Sequence, residues 1–178
     1  MTQNLKKAYL AGGCFWWMEE LFRKEKGIVD TDVGYTGGSV ENPTYQNHEG
    51  HAEALEITYD TDIISYQWVL DFFFRIHNPT TVNQQGNDRG TSYRSAIFYQ
   101  NDDEKRQAEA MIQIVNQSKR WDSQVVTTLE KFDIFYSVST NGCRRYFMVP
   151  SSTDNMLFCN VYNCKKEYLD QDISAYSI

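Results

Sequence analysis

Basic charge is in deficit: 17 lysines and arginines stand against 24 aspartates and glutamates, a formal charge of −7. A phosphate backbone needs a basic face, so nucleic acid is excluded as the main partner. Long apolar runs are missing too, and none approaches the roughly 20 residues that a membrane-spanning helix requires. The start, MTQNLKKAYLAGG, has neither the apolar core nor the small-residue cleavage site of a secretory signal. A soluble cytoplasmic protein is expected, one whose cysteines are thiols before they are structural disulfides. Those cysteines, Cys14, Cys143, Cys159 and Cys164, form no CxxC pair, and no histidine follows His77. A zinc site is therefore not expected, nor is any other metal centre.

What the chain does have is rings. Aromatic residues make up 15% and hydrophobic residues 41% of the 178, the composition of a globular protein with side chains to line a pocket. A chain of this length buries the core of one domain, and a monomer is expected. KAYLA (7–11) reads as a strand, Gly12–Gly13 as a turn, and Phe15, Met18 and Phe22 recur at helical spacing over 14–26. Strands are predicted at 29–35 and 53–59, then a helix capped by Ser65 with the stripe Tyr66, Val69, Phe73 and Ile76 before Pro79. A strand at 93–99, a helix at 102–117 with Ala108, Met111, Ile112 and Val115 inward, and a strand at 125–131 follow. The order β-α-β-β-α-β-α-β implies an α/β (α+β) fold, a two-layer sandwich on a split β-α-β, ferredoxin-like core. Two long polar loops, GYTGG through ENPTYQNHEG and TTVNQQGNDRGTS, are suited to carry function.

A helix starting at Cys14 places the thiol against unpaired backbone N–H groups and the positive end of the helix dipole, both of which favour thiolate. Cys14 is thus a candidate nucleophile; the plainer alternative is a small buried hydrophobe in a strand-to-helix turn. In HAEALEITYD, Glu53 shares strand parity with Leu55, Ile57 and Tyr59, so the apolar face carries a carboxyl at its start. Burial raises the pKa of such a group and keeps it a proton donor near neutral pH. The alternative is a frayed strand end from which Glu53 reaches water. His51, on the same parity, offers a ligand or a base, or a hydrogen-bonded structural histidine, while His48 and His77 read as surface or packing residues. Tyr45 and Tyr93 stand at the ends of the two loops, each either a phenolic donor or a rim residue. Asp88, in GNDRG, is a site carboxylate or the stabiliser of a turn. Trp16 and Trp17 read as core, although a ring beside a reactive thiol would wall an apolar subsite.

GCFW around Cys14, GYTGG, NPTY, GHAE and QGNDRGTSYRSAIFY resemble, in this order, the class A peptide-methionine sulfoxide reductases over about residues 7–136. Five motifs in one order are far more specific than GCFW alone. The resemblance implies an oxidoreductase that reduces methionine S-sulfoxide, free or protein-bound, with no metal or organic cofactor and with thioredoxin as reductant. It makes Cys14 the nucleophile at the sulfoxide sulfur, and Phe15 with Trp16 the wall that holds the substrate methyl group. Glu53, Tyr45 and Tyr93 would bind and protonate the sulfoxide oxygen, with Asp88 in the same pocket. Cys14 would then become a sulfenic acid, which a further cysteine resolves as a disulfide.

The sequence departs from the family pattern in two places. Trp17 stands where many members have glycine or cysteine, and SVSTNGCRRYF replaces the usual continuation after FDIFY. Residues 1–136 are expected to form a single catalytic domain, and 137–178 a divergent, partly disordered C-terminal tail whose Cys143, Cys159 and Cys164 are candidate resolving thiols. Two alternatives stay open: a catalytically impaired member that binds oxidised methionine, and a cysteine hydrolase built on Cys14 and His51.

Overall fold

Alternation in the sequence becomes alternation across a sheet. The computed structural model describes residues 4–138. In chain order they form β1 (Leu5–Gly12), α1 (Phe15–Phe22), β2 (Ile28–Thr36), β3 (Ala52–Asp60), α2 (Tyr66–Ile76) and the two-residue strands β4 (Gln84–Gln85) and β5 (Asp88–Arg89). A single 3-10 turn (Thr91–Tyr93) leads to β6 (Ser95–Tyr99), α3 (Asp102–Gln117), β7 (Thr128–Lys131) and β8 (Tyr136–Ser137). Six strands make one sheet in the order β7-β6-β1-β3-β2-β8, while β4 and β5 pair with each other. Only β6 and β7 run parallel; the other neighbours are antiparallel. β3 lies between β1 and β2, so β1-α1-β2 is the expected split β-α-β, and the inner order β6-β1-β3-β2 is ferredoxin-like.

One face of the sheet packs on the helices. Ala8, Leu10, Val33, Tyr35, Leu55, Ile57, Tyr59 and Ile97 meet Phe15, Met18 and Phe22 of α1, the Val69–Phe73 stripe of α2, and Ala108, Met111 and Val115 of α3. Each fully buried valine, leucine, isoleucine, phenylalanine or methionine here contributes about 1.5–3 kcal/mol relative to exposure. Caps fix where the helices begin: Ser65 Oγ accepts from Trp68 N at 3.1 Å, and Asn101 Oδ1 from Glu104 N at 3.0 Å. Among the described residues no helix is long and apolar enough to cross a membrane.

The opposite face is small: Ala11, Ala52, Ala54 and Ala96 with Tyr9 and Phe98, packed against Phe132 and Phe135. These two phenylalanines belong to a strap, residues 132–135, that runs from β7 at one edge of the sheet to β8 at the other. Phe132 stacks on Tyr9 with ring centroids 3.8 Å apart, and Thr36 Oγ1 donates to Ile134 O at 2.6 Å. Alanines let the strap lie close, and a Cβ on Gly34 would collide with the carbonyl oxygen of Tyr136.

Some boundaries differ from the sequence pattern. The helix expected over 14–26 ends at Phe22, because Lys24 N and Glu25 N bond three residues back and Gly27, at φ 97°, turns the chain into β2. Tyr93 lies in the 3-10 turn and β6 starts at Ser95. The last predicted strand starts at Thr128, since Val125 N and Val126 N are taken by Asn116 Oδ1 and Pro79 O.

Candidate active site

The turn that presents Cys14 is tight by construction. At Gly12 a Cβ would lie 2.9 Å from the Phe73 ring and 3.0 Å from His77, and at Gly13, with φ 102°, it would lie 2.5 Å from the Gln85 side chain. Gln85 is itself fixed: Asn78 N donates to its Oε1 at 3.0 Å, and its Nε2 donates to Asn78 O at 3.1 Å. Cys14 is therefore the half-buried N-cap of α1, its carbonyl accepting from Met18 N at 3.3 Å. The next free N–H of the helix, that of Phe15, donates to Glu53 Oε2 at 3.2 Å. Thiol and carboxyl thus share one helix N-terminus, where backbone donors and the dipole favour negative charge.

Register explains why Glu53 is there. Gly12 pairs with Ser95 and Glu53 with Tyr35, and the β1–β3 register, with Leu10 opposite Leu55, brings Gly12 beside Glu53 two residues on. One row across four strands thus reads Ser95, Gly12, Glu53, Tyr35 on the helix side. Glu53 is 2% exposed, which rules out the frayed strand end. Burial pushes its pKa up to about 8, with Cys14 and Asp88 adding to the rise and the Phe15 N–H opposing it.

The other expected site residues gather around this pair. Tyr93 is held above the ordinary phenol value by burial and then by Glu53, Tyr45, Asp88 and Cys14, which places all five in one electrostatic neighbourhood. Asp88, on β5, is raised by burial as well. Phe15 is buried, with Trp16 edge-on to it at 5.3 Å and Tyr35 at 5.6 Å, so an apolar wall adjoins the thiol. Tyr45 is 40% exposed. Cys143, Cys159 and Cys164, and the expectation of partial disorder in the tail, lie outside the described residues.

His51 is a structural histidine. Its Nδ1 accepts from Gly38 N at 3.2 Å and its Nε2 donates to Val40 O at 2.9 Å, so both ring nitrogens staple the first long loop. No nitrogen is left to activate a thiol, which removes the geometry a hydrolase would need. The sequence reading missed two partners of the site. His48 stacks on Tyr35 at 4.7 Å and lies 6.1 Å from Tyr45, joining the loop to the aromatic wall. His77, 6% exposed, heads a chain in which its Nδ1 donates to Phe73 O at 2.6 Å, its Nε2 pairs with Ser95 Oγ at 2.8 Å, and Ser95 Oγ meets Thr127 Oγ1 at 2.7 Å. Helical spacing hints at the first of these bonds, since Phe73 and His77 are four apart; nothing local signals the others.

A thiol beside a buried carboxyl and phenols, on a ferredoxin-like sandwich, is the arrangement of a thiol-based enzyme. The model of the family "Peptide methionine sulfoxide reductase" matches residues 6–170. Similar proteins carry the name "Peptide methionine sulfoxide reductase MsrA", and two of them show the extent of the match. The one from Mycobacterium sp. (strain JLS) is 61% identical over 122 residues, covering 68% of this chain and 71% of its own. The one from Nocardia farcinica (strain IFM 10152) is 48% identical over 162 residues, covering 90% and 89%. Among solved structures, Mxr1 from Saccharomyces cerevisiae in reduced form superimposes with a TM-score of 0.68 at 30% identity, over 82% of this chain and 90% of that one. The same yeast protein in complex with Trx2 gives a TM-score of 0.59 at 28% identity, over 80% and 88%. The chain belongs to the peptide methionine sulfoxide reductase family.

Proposed function

We propose that this protein reduces methionine S-sulfoxide, free and in proteins, to methionine, with Cys14 as nucleophile and Glu53 as proton donor. The observation that carries the reading is the carboxyl of Glu53, buried at the N-terminus that Cys14 caps and still protonated near neutral pH. A thiolate displaces oxide from sulfur only if the oxygen is neutralised as it leaves. Cys14 Sγ attacks the sulfoxide sulfur while the oxygen takes its proton from Glu53, with Tyr93 and Tyr45 donating hydrogen bonds to the developing charge. Phe15 and Trp16 hold the methyl group. Asp88, close enough to raise Glu53, favours the protonated acid. The protonated oxygen passes from the substrate sulfur to Sγ as the transient bond between the two sulfurs breaks, so the sulfoxide sulfur is reduced by two electrons, methionine leaves, and Cys14 is oxidised by two electrons to the sulfenic acid.

A second thiol then condenses with the sulfenic acid, releasing water and forming a disulfide, which thioredoxin reduces by exchange. Cys143, Cys159 and Cys164 are the internal candidates, and Trp17 leaves no thiol beside the GCFW motif. The protein acts as a cytoplasmic monomer, where such a reductant is present. A single-turnover assay of the prereduced protein with diastereomerically pure S-sulfoxide tests the chemistry. One methionine per Cys14 is expected, and a protein that binds the sulfoxide but releases none would overturn it. Mass mapping of disulfides after turnover assigns the resolving cysteine.

A further inference from the structure

Arg94 follows Tyr93 directly in the chain, but it works on the other side of the sheet. It shares parity with Ala96 and Phe98, on the face that the strap covers, and its guanidinium lies 5.9 Å from the Phe98 ring centroid. The side chain is 13% exposed and forks onto Glu130 of β7, with Nε to Oε1 at 3.0 Å and Nη2 to Oε2 at 3.1 Å. Thr128 Oγ1 holds the same carboxylate at 2.7 Å. The remaining arm, Nη1, donates to Thr91 O at 3.0 Å and to Gly50 O at 3.3 Å. The start of the first loop packs here too, because a Cβ on Gly37 would lie 2.7 Å from Nη2 and 2.9 Å from Glu130 Oε2.

One ion pair therefore touches both ends of the loop that carries Tyr45 and the turn that carries Tyr93. Gly50 lies three residues before Glu53 in the chain. Nothing places Arg94 against the reacting atoms. We infer that Arg94, locked to Glu130, is a positioning residue that sets Tyr93 and the Tyr45 loop around the sulfoxide oxygen from the far face of the sheet. The inference rests on the reductase reading of the site. A planar fork is required: lysine keeps the charge but offers no bidentate grip on Glu130 and no second arm for the two carbonyls. Misplacing donors by about 1 Å costs on the order of 10²-fold in rate, and a partial loosening less.

The test is a cycle of single-turnover rates on S-sulfoxide for the wild-type protein, Arg94→Lys, Tyr93→Phe and the double variant. Arg94→Lys is expected to slow methionine release at least about tenfold, and the double variant to be slowed by clearly less than the product of the two single losses, because coupled residues are non-additive. Glu130→Gln, which keeps size and shape, repeats the cycle if Arg94→Lys folds poorly. Rates that multiply, or Arg94→Lys and Glu130→Gln proteins that melt earlier yet turn over at the wild-type rate, overturn the positioning role. A wild-type protein without turnover removes the reductase reading and this one with it, whereas normal wild-type turnover with insensitive variants removes this one alone.

Discussion

Two buried ionisable groups flank the turn that presents Cys14, and they are treated in opposite ways. On one side His77 has both ring nitrogens paired, and its Ser95 partner passes the chain on to Thr127. On the other side Glu53 has one hydrogen bond among the described residues, from Phe15 N. Burial depresses His77 to about 4 and raises Glu53 to about 8, so each is held neutral at physiological pH. The difference lies in what remains to be satisfied. A paired neutral group stabilises, while an under-paired acid beside a thiol keeps a proton to give.

That contrast is open to direct attack. Cys14→Ser should abolish methionine formation in single turnover, and residual activity at the wild-type rate would remove the nucleophile assignment. Glu53→Gln should cost about 10²- to 10⁴-fold, the usual span for a positioned acid. Its stability should respond to pH in a defined sense. Because the folded value lies above the unfolded one, the folded protein holds a proton that the unfolded chain has lost between pH 4.5 and about 8. The wild-type protein therefore loses stability as pH rises through that window, and Glu53→Gln should lack the decline when denaturant midpoints are compared across it. Tyr93→Phe should slow the reaction on the order of 10²-fold and the more exposed Tyr45→Phe about tenfold, the first in the range for one lost transition-state donor.

His77→Gln should alter the rate least, by no more than about twofold, while costing about 1–3 kcal/mol as buried hydroxyls lose their acceptor. Its folded pKa lies below 6.5, so its contribution is complete above that pH and is lost as pH falls toward about 4. Acid titration of stability should be flatter in the variant. A His77→Gln protein as impaired as Glu53→Gln would erase the distinction drawn between the two sides.

Features that depend on local period were legible in the sequence. Glu53 sits on its strand's apolar parity, and two glycines before an apolar helix place Cys14, so both followed from spacings of two and of three to four. Features that depend on distant register were not. The His77 chain needs Ser95 and Thr127 to meet, and the Arg94 clamp needs Glu130 across from Phe98, which only the parallel pairing of β6 and β7 supplies. The end of α1 is not legible in the sequence, because its apolar spacing does not reveal that Gly27 takes a positive φ. Phe132 and Phe135 show no strand alternation, since they lie across the strands rather than along them.

The strap also has a consequence in time. Tyr136 pairs with Tyr35, and Val138 N with Val33 O, across almost the whole described chain. Closing so large a loop carries an entropy cost before any contact repays it, so such pairing is slow. During synthesis Cys14 and Glu53 emerge early, while this part of β2 remains an open edge. A chain stopped after Lys131 should show faster amide exchange at Val33 to Tyr35 than the full chain, with equal exchange arguing against the strap as their cover. β8, which pairs with Tyr35, is the last of the described strands to arrive, so this edge of the sheet beside the thiol's aromatic surroundings closes only when the chain has been made through Val138.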